Sequence, residues 1–192
     1  KHQLAAGRLL AASRRRLAAQ GGAPPMAHIQ VAATPIGPSL PGLQAYHTSV
    51  FIDCVEYSFG ARGLVRSAGP QSHLPWSKDL RRTVMVDFGM HDVSLEDFEL
   101  RLGPFFRKGT YDSLRKNCNA FTSCAVSFLT GRGLDARYSY VESLGSQLES
   151  LGLVQALSGG KYVPNELAAG FDVGSVVGQL RRPGGQEAAG RR

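Results

Sequence analysis

Cysteine is scarce in this sequence, which has three (Cys54, Cys118 and Cys124) in 192 residues. Three cysteines cannot form a fully paired disulfide framework, and no CxxC pair or Cys/His cluster has the spacing of a zinc site. We therefore predict no metal and no other cofactor. The same scarcity indicates a reducing compartment, the cytoplasm or the nucleus.

Long apolar runs are also missing, and acidic residues are scarce near both ends. No stretch reaches about 18 apolar residues, so no membrane-spanning helix is predicted. Residues 1–22 hold five basic groups and no acid, and residues 181–192 hold four basic groups and one acid. The formal charge of +7 thus comes from the ends, because residues 23–180 hold 13 basic and 14 acidic groups. A nucleic-acid-binding domain carries its charge on a folded face, so this class is excluded.

The length and the hydrophobic fraction of 43% suit one compact domain between two tails. We expect residues 1–25 to be a basic, disordered leader and residues 26–157 to be the folded domain. Residues 158–192 are expected to form a C-terminal tail, partly helical near 165–180 and then disordered. The Ala/Arg-rich leader is also compatible with an organelle transit peptide, so organelle targeting stays open.

Runs of β-branched and aromatic residues predict strands. Tyr46–Ile52 and Val55–Phe59 form a hairpin around a two-residue turn, and Arg82–Phe88 is a further strand. Proline, glycine and serine punctuate the segments 24–45 and 61–75. We expect both segments to be mostly loop, apart from a short strand in the first.

Apolar residues at helical spacing predict two main helices. One begins at Ser94, and the other spans about 118–130 and is ended by Gly131 and Gly133. A weaker apolar repeat predicts another helix at about 144–151. Helices and hairpins together indicate an α+β domain.

Cys118 is a candidate nucleophile because of its place on the second helix. Asn117 is a good N-cap, which places Cys118 in the first turn, where unpaired N–H groups and the helix dipole favour a thiolate. Cys124 lies on the apolar stripe and is expected to be buried, and Cys54 lies at the hairpin turn. A cysteine in the first turn of a helix is more often structural than reactive. Position alone therefore makes Cys118 a candidate nucleophile and does not establish that role.

His47 is the best-placed partner for that thiol. It lies on a predicted strand, and strands hold side chains rigidly enough for catalysis. The other histidines lie in the leader, in the proline-rich segment or in connections: His2, His28, His73 and His91.

Two blocks, YHTSVFIDCVEYSFG and NCNAFTSCAVSFLTGR, resemble the PPPDE family, also called DeSI isopeptidases. The resemblance covers about residues 40–137, with the blocks in the expected order. It implies a permuted papain-like fold, in which a small antiparallel sheet or barrel packs against helices and the nucleophile starts a helix. It also implies that residues 26–157 are the peptidase domain, with His47 and Cys118 as a dyad that lacks the third Asp/Asn member of papain.

The family chemistry implied is hydrolysis of the isopeptide bond between SUMO or ubiquitin and a target lysine. The expected partners are therefore proteins conjugated to these modifiers, and the resemblance also implies a possible homodimer. Asn117 and Asn119 flank the nucleophile and are expected to cap the helix and shape the turn, with oxyanion support as the alternative. For Tyr111, packing over the helix is the main expectation, and a hydrogen bond that supports the site is the alternative.

Two other function classes stay open. The lecithin:retinol-acyltransferase-like enzymes share the permuted fold, and their Asn-Cys-Glu-His-Phe segment is close to Asn117–Phe121. They carry a second histidine about a dozen residues after the first, and this sequence has none up to Phe59, which weakens that reading. Hydrolysis of an S-acyl thioester would use the same residues as isopeptide hydrolysis. The other class that stays open is a non-catalytic adaptor that retains the fold.

Overall fold

The fold combines one antiparallel sheet with packed helices. The computed structural model describes residues 26–40, 43–77, 79–138 and 161–182. Within these ranges the strands are β1 (Met26–Leu40), β2 (Leu43–Ile52), β3 (Val55–Gly60), β4 (Gly63–Ala68) and β5 (Val84–Asp92). The α-helices there are α1 (Leu95–Leu102), α2 (Cys118–Thr130) and α3 (Val173–Leu180). The predicted α+β class is confirmed.

The sheet has the strand order β4-β3-β2-β1-β5, and every neighbouring pair is antiparallel. The predicted hairpin is present as β2 and β3, with a turn in which Asp53 has a φ of 55°. In the described chain, β3 pairs with Val50–Ile52 of β2, and β1 is the one strand that pairs with the earlier part of β2. Residues 43–49 of β2 therefore leave one edge available to other elements.

The length of β1 corrects the sequence prediction, which made most of residues 24–45 a loop. Met26–Ala33 pairs with β5, and Ile29–Ala33 within it also pairs with β2, so tertiary pairing overrides the weak local signal. Pro35 and Pro38 follow the point where the pairing with β5 ends. There β1 has one neighbouring strand, so the prolines remove no hydrogen bond from the β1–β5 ladder.

The segment 61–75 was also predicted to be loop, but it contains β4. Pairing along the whole of β3 holds this strand in place. Gly63 begins it with a φ of 84°, and a Cβ there would lie 2.6 Å from the backbone nitrogen of Lys108. Glycine is therefore required at this position for both conformation and space.

The hydrophobic core lies between the sheet and the helices. Cys124 is fully buried in it, as predicted, and Phe128 packs at its margin. Among its members are apolar side chains of β1 and β2 (Ile29, Val31, Val50, Ile52), of α1 (Phe98, Leu102) and of α2 (Phe121, Ala125, Val126).

Residues 161–182 pack against the rest of the domain. The Asp112 carboxylate accepts hydrogen bonds from the Tyr162 hydroxyl and from the backbone N–H of Asn165. Val176 and Leu180 of α3 join the core. The helix predicted near 165–180 is thus present as the shorter α3, and the one predicted at about 144–151 lies outside the described residues. In the described part of the chain, every helix is too short or too polar to cross a membrane.

Candidate active site

The start of α2 is defined by Asn117. Its Oδ1 accepts the backbone N–H groups of Asn119 (2.9 Å) and Ala120 (3.0 Å), and its Nδ2 donates to the carbonyl of Ser113. Cys118 is the first residue of this 13-residue helix and is 6% exposed. The cap therefore holds the thiol at the positive end of the helix dipole.

Asn119 links the beginning of α2 to β2. Its Oδ1 accepts the Thr48 hydroxyl at 2.7 Å and a longer contact from the Cys118 thiol, at 3.6 Å. The Thr48 oxygen also lies 3.0 Å from that of Thr122. We call Thr48, Asn119 and Thr122 the Thr48 cluster. Since Thr48 follows His47 and Asn119 follows Cys118, this cluster ties together the two segments that carry the candidate pair.

The His47 side chain contacts the loop after β4, along the edge of β2 that β3 leaves uncovered. Its Nε2 lies 2.8 Å from the Ser72 hydroxyl oxygen. The ring centroid lies 4.6 Å from that of His73, edge to face, and 5.9 Å from that of Trp76. His47 is 7% exposed, whereas Trp76 is 53% exposed. The site thus has a buried imidazole with an exposed indole beside it.

A fully buried carboxylate lies behind this imidazole. Glu56, on β3, accepts hydrogen bonds from Ser72 and Ser67 and lies 3.6 Å from Nε2 of His73. His73 is also fully buried, with hydroxyl groups at both ring nitrogens: Thr34 at 2.6 Å and Ser49 at 2.9 Å. We call His47, Glu56, Ser72 and His73 the His47 cluster.

Burial controls the charge of both imidazoles. Loss of hydration, with a smaller contribution from the nearby His73, lowers the pKa of His47 to about 3. Burial also lowers the pKa of His73, although the negative charge of Glu56 acts in the opposite direction. Both rings are therefore neutral near pH 7, and a neutral imidazole has a lone pair that can accept a proton. Within the described ranges, no group of three or more His, Cys, Asp or Glu side chains is arranged to hold a metal ion.

Tyr111 packs in the segment that precedes α2. Its ring centroid lies 5.5 Å from that of Phe59, and its carbonyl accepts the Asn165 side-chain amide. These contacts give Tyr111 a packing role before the start of α2.

The sequence interpretation missed the polar residues around His47. One available signal was a glutamate in the otherwise β-rich VEYSFG strand, which is unusual unless the carboxylate is bonded. Ser72, His73 and Trp76 follow a glycine- and proline-punctuated stretch, and nothing local indicates that they contact β2. His73 in particular lies in a segment predicted to be loop, so its place in the sequence does not indicate a role in the site.

Comparison with protein families matches residues 22–157 to the PPPDE putative peptidase domain. This chain belongs to the PPPDE family. The match confirms the resemblance seen in the two sequence blocks, and the sheet and helices agree with the papain-like fold it implies. The matched segment contains the whole Thr48 cluster and the whole His47 cluster.

Curated relatives support the same PPPDE assignment. Desumoylating isopeptidase 1 of Rattus norvegicus and that of Homo sapiens are each 32% identical over 126 residues, which is 64% of this chain and 69% of the relative. DeSI-like protein sdu1 of Schizosaccharomyces pombe is 27% identical over 109 residues, or 54% of each chain.

Proposed function

We propose that this PPPDE protein is a cysteine isopeptidase that hydrolyses the bond between a SUMO C-terminus and a target lysine. One observation carries the proposal. Cys118 starts a capped helix, and the hydrogen bond from Thr48 to Asn119 joins that helix start to the strand that presents a neutral His47. Membership of a peptidase family and the names of the relatives support the reaction and the substrate.

In the proposed mechanism His47 is the base for the Cys118 thiol. Burial keeps the imidazole neutral, so we expect the resting pair to be uncharged and the proton to leave sulfur as sulfur attacks. The new S–C bond converts the amide carbonyl into a tetrahedral oxyanion, and the proton resides on His47. Its imidazolium then protonates the lysine nitrogen, the C–N bond breaks and a thioester remains.

The thioester is hydrolysed by water that His47 deprotonates, which regenerates the thiol. The N–H groups of Asn119 and Ala120 are engaged by Asn117. We assign oxyanion stabilisation to the donors at the helix start, most simply the backbone N–H of Cys118, because it lies beside the attacking sulfur. Asn117 then contributes by holding that turn in place rather than by touching the substrate.

A hydrolysis panel tests the proposal. SUMO-, ubiquitin- and S-palmitoyl-type substrates are incubated with the wild-type protein, and a SUMO C-terminal electrophile is used to trap the nucleophile. We expect cleavage of the SUMO isopeptide, an adduct on Cys118, and loss of activity in Cys118→Ser by about 10³-fold or more. Cleavage confined to ubiquitin conjugates would correct the modifier, and cleavage confined to the thioester would replace the isopeptidase assignment.

The other two cysteines provide matched controls. Cys54 is exposed at the hairpin turn and Cys124 is buried in the core. Cys54→Ser and Cys124→Ala are expected to retain the activity and the adduct. Turnover that survives Cys118→Ser would refute Cys118 as the nucleophile.

A further inference from the structure

The buried carboxylate of Glu56 holds one particular serine. Ser72 donates to it twice, with its hydroxyl to Oε1 at 2.5 Å and with its backbone N–H to Oε2 at 3.1 Å. The hydroxyl of Ser67 donates to Oε2 at 2.9 Å. Because Ser72 is bound through both its backbone and its side chain, its hydroxyl has a fixed position and a fixed direction.

The direction of that hydroxyl determines the protonation of His47. A serine hydroxyl has one hydrogen, and here Glu56 receives it. The Ser72 oxygen can then meet Nε2 of His47, 2.8 Å away, only as an acceptor. Nε2 must therefore carry the imidazole hydrogen, and the lone pair of the neutral ring is on Nδ1.

We propose that Ser72 and Glu56 are positioning residues for His47, forming a relay in which Glu56 orients Ser72 and Ser72 holds Nε2–H so that Nδ1 exchanges the proton with the thiol. This deepens, and rests on, the isopeptidase function proposed above. In the reaction the thiol proton moves to Nδ1 and later to the leaving amine. The hydrogens on Nε2 and on Ser72 stay where they are.

The relay also addresses the cost of charging a buried ring. Imidazolium formation in this site is opposed by burial and by the neighbouring His73. The positive charge on His47 would be stabilised by the Glu56 carboxylate through the Ser72 hydroxyl, which can reorganise little because it is held twice. The resemblance implies a dyad without a third member, whereas this arrangement supplies the orienting function through two residues of different elements.

The same contacts argue against Ser72 as a nucleophile. A serine nucleophile gives its proton to histidine, and the histidine is oriented by the acid. Here the Glu56 carboxylate contacts Ser72 and accepts the hydrogen bond that the serine hydroxyl donates. The order Glu56–Ser72–His47 therefore suits orientation of the histidine and not activation of the serine.

The direct test measures the His47 tautomer by nitrogen-15 NMR, which needs no substrate. We expect the Nε2–H form in the wild-type protein and a shift toward the Nδ1–H form, or a mixture, in Ser72→Ala. Ser67→Ala is the matched control, because it removes a hydrogen bond to the same carboxylate without touching His47, and it should leave the tautomer unchanged. An Nδ1–H ring in the wild type, or an unchanged ring in Ser72→Ala, would overturn the relay.

The kinetic test separates orientation from general stability. In Ser72→Ala we expect kcat to fall about 10–100-fold with KM changed little, as for other groups that orient a functional histidine. Ser72→Thr, which keeps the hydroxyl, should recover most of kcat, and Ser67→Ala should retain it. Wild-type kcat in Ser72→Ala would contradict the proposal.

Glu56→Gln is a second route to the same result. It removes the negative charge while keeping an oxygen for Ser72, and we expect its kcat to fall and the acidic limb of its pH–rate profile to move. If Glu56→Gln does not fold, the Ser72 variants decide the matter. A wild-type protein that cleaves no substrate but shows the Nε2–H tautomer would refute the proposed function while supporting the relay.

Discussion

The Thr48 cluster and the His47 cluster occupy adjacent positions on β2, and they are built from different chemistry. The Thr48 cluster consists of hydroxyls and an amide, none of which changes charge in water near neutral pH. The His47 cluster contains a carboxylate and two imidazoles, with an exposed indole beside them. Both clusters are mostly buried, so burial alone does not distinguish a structural polar cluster from a reactive one.

The difference lies in what each cluster can do with a proton. Thr48 and Asn119 connect β2 to α2 by a fixed donor and a fixed acceptor, which contributes to stability. In the His47 cluster the hydrogen bonds lead from Glu56 through Ser72 to the His47 imidazole. The second nitrogen of this ring can gain and lose a proton. In the proposed function, the first cluster therefore positions the site, and the second carries out its proton chemistry.

The comparison is tested most severely by removing the imidazole. His47→Gln should lower kcat/KM for the isopeptide substrate by about 10²–10⁴-fold, because it removes the base. Since the replacement is polar and can still bond Ser72, we expect a folded protein with a similar far-ultraviolet circular dichroism spectrum. Wild-type turnover in this variant would contradict the assignment of His47 as the base.

Acid titration should reveal the buried neutral ring. The pKa of His47 is about 3 in the folded protein against 6.5 ordinarily, so the unfolded chain binds its proton first as the pH falls. The contribution of this ring to stability is complete above about pH 6.5 and is lost as the pH falls toward 3, by a few kcal/mol. Urea unfolding at a series of pH values should show this loss, with a shallower decline in His47→Gln. Parallel declines would contradict the low pKa.

Removing the Thr48 hydroxyl should change the stability of the fold more than the rate of the reaction. Thr48→Val keeps the shape of the side chain but leaves the buried Asn119 oxygen without its short hydrogen bond, at a cost of about 1–3 kcal/mol. Urea unfolding measures this cost. Thr122→Val is the control within the same cluster and should cost less, because the Thr48–Asn119 bond survives. Equal costs would show that this bond is not the main link.

The smallest expected effects come from the two ends of α2. Asn117→Ala removes the N-cap and should cost about 1 kcal/mol. Gly131→Ala forces a side chain into the left-handed conformation at the other end and should cost a similar amount, about 1 kcal/mol. Of the two, Asn117→Ala should slow alkylation of Cys118 by iodoacetamide. An equal rate in both variants would indicate that the cap has no influence on the thiol.

The sequence predicted the Thr48 side of the site better than the His47 side, for a physical reason. The ends of a helix are determined by residues that are neighbours in the sequence. Asn117 and Gly131 therefore indicate the bounds of α2 directly. Strand pairing is not local, and β1 was mistaken for loop because its prolines lie where β5 no longer pairs. Ser72 reaches His47 across 25 residues of chain, and only the folded hairpin brings these two together.

One feature of the His47 environment gives this protein a built-in optical reporter. Trp76 is the only tryptophan in the sequence, and its ring centroid lies 5.9 Å from that of His47. A positive charge that appears beside an indole alters its emission, so the intrinsic fluorescence of the unlabelled protein should follow protonation at this position. Stopped-flow emission during a single turnover could therefore time the arrival and departure of the proton without any dye.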